Sequence, residues 1–126
     1  MSKTPSKPIL LLDFDGVIHS YKSGWQGATI IPDPPTEGFW RWAMEAALVF
    51  DLQIYSARSS QPGGIDAMAL WLQDNKPDWF HGVSFGFPTS KPAAFLTIDD
   101  RAVQFRGNWA EMEIDQLARY RPWNRD

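Results

Sequence analysis

Two apolar runs that each end in acids constrain this chain most. Ile9-Leu10-Leu11-Leu12 runs directly into Asp13-Phe14-Asp15-Gly16. Far downstream, Phe95-Leu96-Thr97-Ile98 runs into Asp99-Asp100. The first run, read as a strand over Ile9–Phe14, does not alternate apolar with polar residues. A continuous apolar strand suits a parallel sheet buried on both faces. Between the two, Val49–Tyr55 reads as a second strand, and it ends in Ser56. In an open parallel α/β sheet, ligands bind beyond the carboxyl ends of the strands. Three strands therefore bring an acid, a hydroxyl and an acid to one edge.

The segments between these strands carry helical spacing. Thr36 is a plausible N-cap for a helix to about Ala47, with Phe39, Trp42, Ala43 and Ala46 on its inner face. Pro62-Gly63-Gly64 breaks the chain, and Ile65, Met68, Ala69 and Leu72 then mark a second helix that ends near Lys76-Pro77. Gly82–Phe85 is a candidate short third strand, which makes Phe95–Ile98 the fourth. Asn108, with Glu111 three residues later, is placed to cap a last helix whose inner face is Ile114, Leu117 and Ala118. Ala28–Ile31 is a candidate hairpin arm within the loop after the first strand. Residues 1–8, with two prolines and no periodicity, read as a flexible leader to a single domain over 9–126. Alternation of strand and helix predicts an α/β fold with a mainly parallel sheet.

Composition narrows the chemistry. The chain has 126 residues, enough for one core but not two domains. It has no cysteine, which excludes disulfides, thiolate catalysis, iron–sulfur clusters and zinc–thiolate sites. His19 and His81 are its two histidines, too few for a three-histidine metal centre. A net charge of −3 argues against a strong non-specific hold on nucleic acid. No run approaches the roughly 20 apolar residues of a membrane span, and none makes a signal peptide. The chain accordingly reads as cytoplasmic.

Converging carboxylates repel. At ~4 Å and an effective dielectric of 20 the repulsion is about 4 kcal/mol per pair. A hard divalent cation offsets it, and Mg²⁺ commonly takes one or two carboxylates with phosphate and water. Each part alone is weak: an Asp-x-Asp-Gly is more often an ordinary turn, and a lone lysine is usually solvated. Four parts in order are more specific.

Those parts are Leu-Leu-Asp-Phe-Asp-Gly-Val (11–17), Ile-Tyr-Ser-Ala-Arg (54–58), Ser-Lys-Pro (90–92) and Thr-Ile-Asp-Asp-Arg-Ala (97–102). With them the chain resembles the haloacid dehalogenase-like superfamily of phosphotransferases. The resemblance implies a Rossmann-like three-layer α/β/α sandwich and an Mg²⁺-dependent phosphatase. It implies that Asp13 is the nucleophile, forming an aspartyl-phosphate. Asp15 becomes the general acid and base. Ser56 holds a phosphoryl oxygen, and Lys91 neutralises charge on nucleophile and phosphoryl group. Asp13, Asp15 through its backbone carbonyl, Asp99 and Asp100 hold Mg²⁺. Gly16, Ala57 and Arg58 fall to substrate binding. Lys91 precedes Asp99 by eight residues, closer than in many members of the superfamily; Lys76, 23 residues before Asp99, is its rival.

Neither interval that carries a cap domain in that superfamily is long enough for one here. The resemblance is therefore to capless members with an open site. Their substrate is a phosphorylated metabolite or another phosphate monoester, with a second subunit as one way to complete the pocket. The alternatives are a phosphatase of nucleotides or nucleic-acid ends, and a non-catalytic binding protein on the same fold. Trp25 reads as a base- or sugar-stacking residue or as a pin for its own loop. Arg58 reads as a clamp for a second anion or as an ion-pair partner. Five of seven arginines lie from Arg101 onward. Trp42 and Trp71 are expected in the core, and Trp109 and Trp123 at an interface.

Overall fold

A computed structural model describes residues 6–125. Its sheet has three strands: β1 (Ile9–Leu12), β2 (Asp51–Ile54) and β3 (Leu96–Ile98). The order is β2-β1-β3, and both pairings are parallel. Leu10 lies opposite Leu52 on one side and Leu96 on the other. Parallel neighbours need long crossovers. Helix α1 (Phe39–Ala46) lies in the first crossover and α2 (Gly64–Asn75) in the second. A 3₁₀ turn (Trp109–Glu111) and α3 (Ile114–Ala118) follow β3. The result is a small open α/β sheet. None of the described helices is long and apolar enough to cross a membrane.

β1 is the central strand, and Leu10, Leu11 and Leu12 are all buried, as an unbroken apolar run requires. Leu10 and Leu12 join Leu52 and Ile54 in the core with Phe14, Phe39, Met68 and Trp71. Each fully buried side chain of this kind contributes about 1.5–3 kcal/mol. Phe14 meets Trp71 edge-on at 5.2 Å, and Trp40 meets Phe80 at 4.8 Å.

Several elements depart from their sequence expectation. The third strand over Gly82–Phe85 does not form. The ladder there shrinks to Gly86, which donates to the Leu52 carbonyl (3.0 Å) and accepts from the Ile54 amide (2.8 Å). Val83 and Phe85 still pack on the core. Ala28–Ile31 is no hairpin arm: the carbonyls of Gly27, Ala28 and Ile30 all turn to the Arg58 guanidinium, leaving no ladder to build.

Thr36 does not cap α1. Its hydroxyl donates to the Val17 carbonyl (2.7 Å), and the helix starts after Gly38. Phe39 and Ala43 bury its inner face, while Trp42 turns outward. In α2, Met68, Trp71 and Leu72 are buried and Ala69 is exposed, so the inner stripe sits further round than Ile65 and Ala69 suggested. Gly64 starts this helix because a Cβ there would stand 1.8 Å from the Arg58 carbonyl.

Asn108 caps the 3₁₀ turn by accepting from the Ala110 amide (3.0 Å). Among the described residues no layer covers the inner face expected for the last helix: Ile114 is 81% exposed, and Leu117 and Ala118 are also exposed. Of the expected leader, residues 1–5 lie outside the described residues. Pro8 accepts from the Asp51 amide (2.9 Å), and Lys7 Nζ donates to the Ala47 carbonyl (2.6 Å).

Candidate functional site

The chain leaves β1 to build β2 on one side and returns to build β3 on the other. The crevice of such a sheet lies at the carboxyl ends of β1 and β3, where the connections diverge. Asp13 follows β1, and Asp99 and Asp100 follow β3. The Asp13 amide donates to the Ile98 carbonyl (3.0 Å), so the two strand ends are joined at the acids themselves. Asp13, Asp99 and Asp100 each offer a carboxylate oxygen, and these oxygens lie within 4.8 Å of one another.

Their electrostatics follow from that crowding. Burial, reinforced by the Asp99 charge, pushes the Asp13 carboxyl up to about 8. Burial also raises Asp100, while a hydrogen bond with Asp13 opposes the rise. Three hard oxygen donors with this much mutual repulsion fit a divalent cation such as Mg²⁺.

The turn after Asp13 is tightly wound. The Phe14 carbonyl accepts from the amides of Val17, Ile18 and His19, and the Gly16 amide donates to the His19 carbonyl (2.8 Å). Gly16 has φ +84°, and a Cβ there would stand 2.2 Å from an Asp100 carboxylate oxygen. Glycine is therefore what allows Asp100 to approach the loop. Thr36 and Trp123 brace the same turn: Trp123 Nε1 donates to the Gly16 carbonyl (2.6 Å).

Asp15 is gripped from two sides. Arg58 Nε donates to both its oxygens (3.0 and 3.2 Å), and Nη2 donates to Oδ1 (3.1 Å). His19 Nδ1 lies 2.9 Å from Oδ1. The Asp33 amide donates to His19 Nε2 (3.1 Å), which assigns the ring proton to Nδ1 and makes His19 a donor to Asp15. Both Arg58 and His19 are fully buried. The remaining guanidinium nitrogen of Arg58, Nη1, donates to the carbonyls of Gly27, Ala28 and Ile30. Arg58 is thus a buried structural partner of Asp15, with its donors turned to the protein.

Ser56 sits in the turn after β2. Its Oγ accepts from the Arg58 amide (3.0 Å), and its own amide donates to Ser59 Oγ (3.0 Å). Its hydroxyl proton stays available to a ligand. A cleft of about 370 Å³ brings Asp13, Asp15, Ser56, Ala57, Asp99 and Asp100 together. Tyr21, Trp25 and Arg101 complete its wall.

Lysine is absent from the described residues that line this cleft. Lys91 lies on the exposed loop before β3, and Lys76 is the exposed C-cap of α2. Arg101 is the cation at the wall instead. Sequence reasoning singled out His19, in the loop after Asp13, for substrate recognition and Trp123 for an interface, and missed that both brace the site. No local pattern marks them, since their partners are set by a four-residue turn and by a contact 107 residues away. Comparison with protein-family models, with curated proteins and with solved structures finds no match.

Proposed function

We propose that this chain is an Mg²⁺-dependent phosphomonoesterase of the haloacid dehalogenase-like type, capless, working through an aspartyl-phosphate. The observation that carries the reading is the meeting of Asp13, Asp99 and Asp100 within 4.8 Å at the ends of adjacent parallel strands. Asp15 and Ser56 open into the same cleft. The reading also takes the open three-stranded sheet as the centre of a Rossmann-like three-layer sandwich.

Asp13, Asp99, Asp100 and the Asp15 backbone carbonyl would hold Mg²⁺. Bound there, the ion supplies charge neutralisation between the anionic phosphate and the anionic nucleophile. An Asp13 carboxylate oxygen attacks phosphorus, forming one O–P bond as the ester O–P bond breaks. Asp15 enters this step protonated on Oδ2, the oxygen that His19 and Arg58 Nη2 leave free, and the leaving alkoxide takes that proton. Asp15 then accepts a proton from water, whose oxygen attacks the acyl phosphate and releases inorganic phosphate and free Asp13. Arg58 and His19 hold Asp15 in place between these steps. The Ser56 hydroxyl donates to a phosphoryl oxygen, and Arg101 and Lys91 are the cations nearest in sequence to the two ends of β3.

The test is hydrolysis of 4-nitrophenyl phosphate by wild type and Asp13→Asn, with and without Mg²⁺. Metal-dependent release that the variant loses supports the reading. Wild-type turnover by Asp13→Asn refutes the mechanism.

A further inference from the structure

We propose that Trp25 is a stacking platform for the alcohol part of the substrate, and that this substrate is a phosphomonoester with a planar aromatic ring next to its phosphate. The placement of the phosphate against Asp13 rests on the phosphatase reading; the platform itself rests on the wall of the cleft.

Five of the residues around the cleft are the acids and Ser56. Tyr21, Trp25 and Arg101 stand above them as the wall. Trp25 is 46% exposed, although its ring sits 4.8 Å from the Arg58 guanidinium carbon. One face is therefore backed by a buried cation and another part of the ring is open to the cleft. A half-exposed indole is usually mobile, but this one is on a fastened loop. Arg58 Nη1 holds the carbonyls of Gly27, Ala28 and Ile30 just beyond it. Ser23, just before it, gives its amide and hydroxyl to the Asp33 carboxylate (2.8 and 2.6 Å).

Tyr21 adds an independent sign. Its φ is +61°, the left-handed region that bulky residues avoid, and strain of this kind concentrates at ligand sites. It is held there between the His19 ring (5.7 Å) and the Arg125 guanidinium (5.5 Å). The loop therefore presents two immobilised aromatic side chains to one cleft. A preorganised ring loses little freedom on binding. A flat ligand ring uses that face better than a flexible alkyl chain does. The volume of about 370 Å³ lies at the small end of ligand sites, room for a phosphate and a ring.

The experiment compares benzyl phosphate with butyl phosphate, whose leaving alcohols are similar in basicity and differ in the ring. Binding of each to Asp13→Asn in Mg²⁺ is measured by titration calorimetry, and turnover of each by wild type. Benzyl phosphate should bind about tenfold more tightly, as an aromatic stack predicts. Adding Trp25→Ala or Trp25→Leu should erase the ratio, and Trp25→Phe should keep most of it. The leucine covers Arg58 without offering a ring, so it guards against loss of fold. Equal affinity, or a ratio that survives both ring-removing variants, overturns the platform, and the wild-type KM ratio decides in the same way if Asp13→Asn, short of one metal-holding carboxylate, binds neither ester. A Trp25-dependent ratio without wild-type turnover overturns the phosphatase and leaves the platform standing. Turnover of both esters with equal KM does the reverse.

Discussion

Arg58 Nε lies 3.0 Å from Asp15 Oδ2, and Arg58 is wholly removed from solvent. Taking such a pair out of water is expensive, and its attraction recovers that only when the remaining donors are satisfied. Here three backbone carbonyls satisfy them. The pair therefore orients Asp15 and closes the loop over residues 27–30 with one side chain.

Removing the arginine should leave Asp15 facing a void. Arg58→Met is expected to lower unfolding free energy by about 3–5 kcal/mol, the usual loss when one partner of a buried pair is deleted. Arg58→Lys should recover only part of it, because a lysine cannot serve both Asp15 and the three carbonyls. Urea denaturation at neutral pH measures both. A midpoint unchanged in Arg58→Met would show that the pair does not hold this loop.

The raised Asp13 carboxyl makes stability depend on pH. Its value in the fold, about 8, is above its ordinary 3.8. The folded protein thus binds the proton more tightly than the unfolded chain. This contribution is complete below pH 3.8 and drains away as pH rises through about 8. In chelator, Tm should fall as pH rises from 5 to 8. Asp13→Asn should flatten that slope, and added Mg²⁺ should raise Tm most at the alkaline end. A slope identical in wild type and Asp13→Asn contradicts the assignment.

Metal demand should follow the acids after β3. Asp99→Asn is expected to raise the Mg²⁺ concentration for half-maximal activity at least tenfold, since a carboxylate is exchanged for a neutral oxygen. The measurement is a metal titration of 4-nitrophenyl phosphate hydrolysis. An unshifted titration curve would remove Asp99 from the metal set.

Gly16 is the tightest steric point of the site. Gly16→Ala would place a Cβ 2.2 Å from Asp100 at φ +84°. Asp100 must move, and the backbone must bear strain of about 1–3 kcal/mol. Activity should fall by more than tenfold while the circular dichroism spectrum stays close to wild type. Full activity would mean that the approach of Asp100 to this loop is unimportant.

What could be read from the chain alone was local. The strands expected over Ile9–Phe14 and Phe95–Ile98 follow from a few adjacent residues, and they formed at those places with shorter bounds, Ile9–Leu12 and Leu96–Ile98. The core faces of the helices were read only in part, because the stripe on α2 passes through Trp71 and not Ala69. Trp42 was expected inside and lies outside. The grip on Asp15 was out of reach: His19 is four residues away, but Arg58 is 43 residues away, and the three carbonyls that fix it belong to a loop without periodicity. Thr36 carried the right cap signal, but a tertiary acceptor, the Val17 carbonyl, took its hydroxyl.

The braces from the far end of the chain bear on the order of assembly. Gly16, Ser20 and Lys22 give their carbonyls to Trp123, Asn124 and Arg125, more than a hundred positions later. During synthesis from the N-terminus, the turn that follows Asp13 emerges more than a hundred residues before the partners that brace it. Closing so long a loop carries an entropic cost that only a formed sheet can offset. The surroundings of Asp13 are therefore finished late in folding, after the strands that carry the acids have already met.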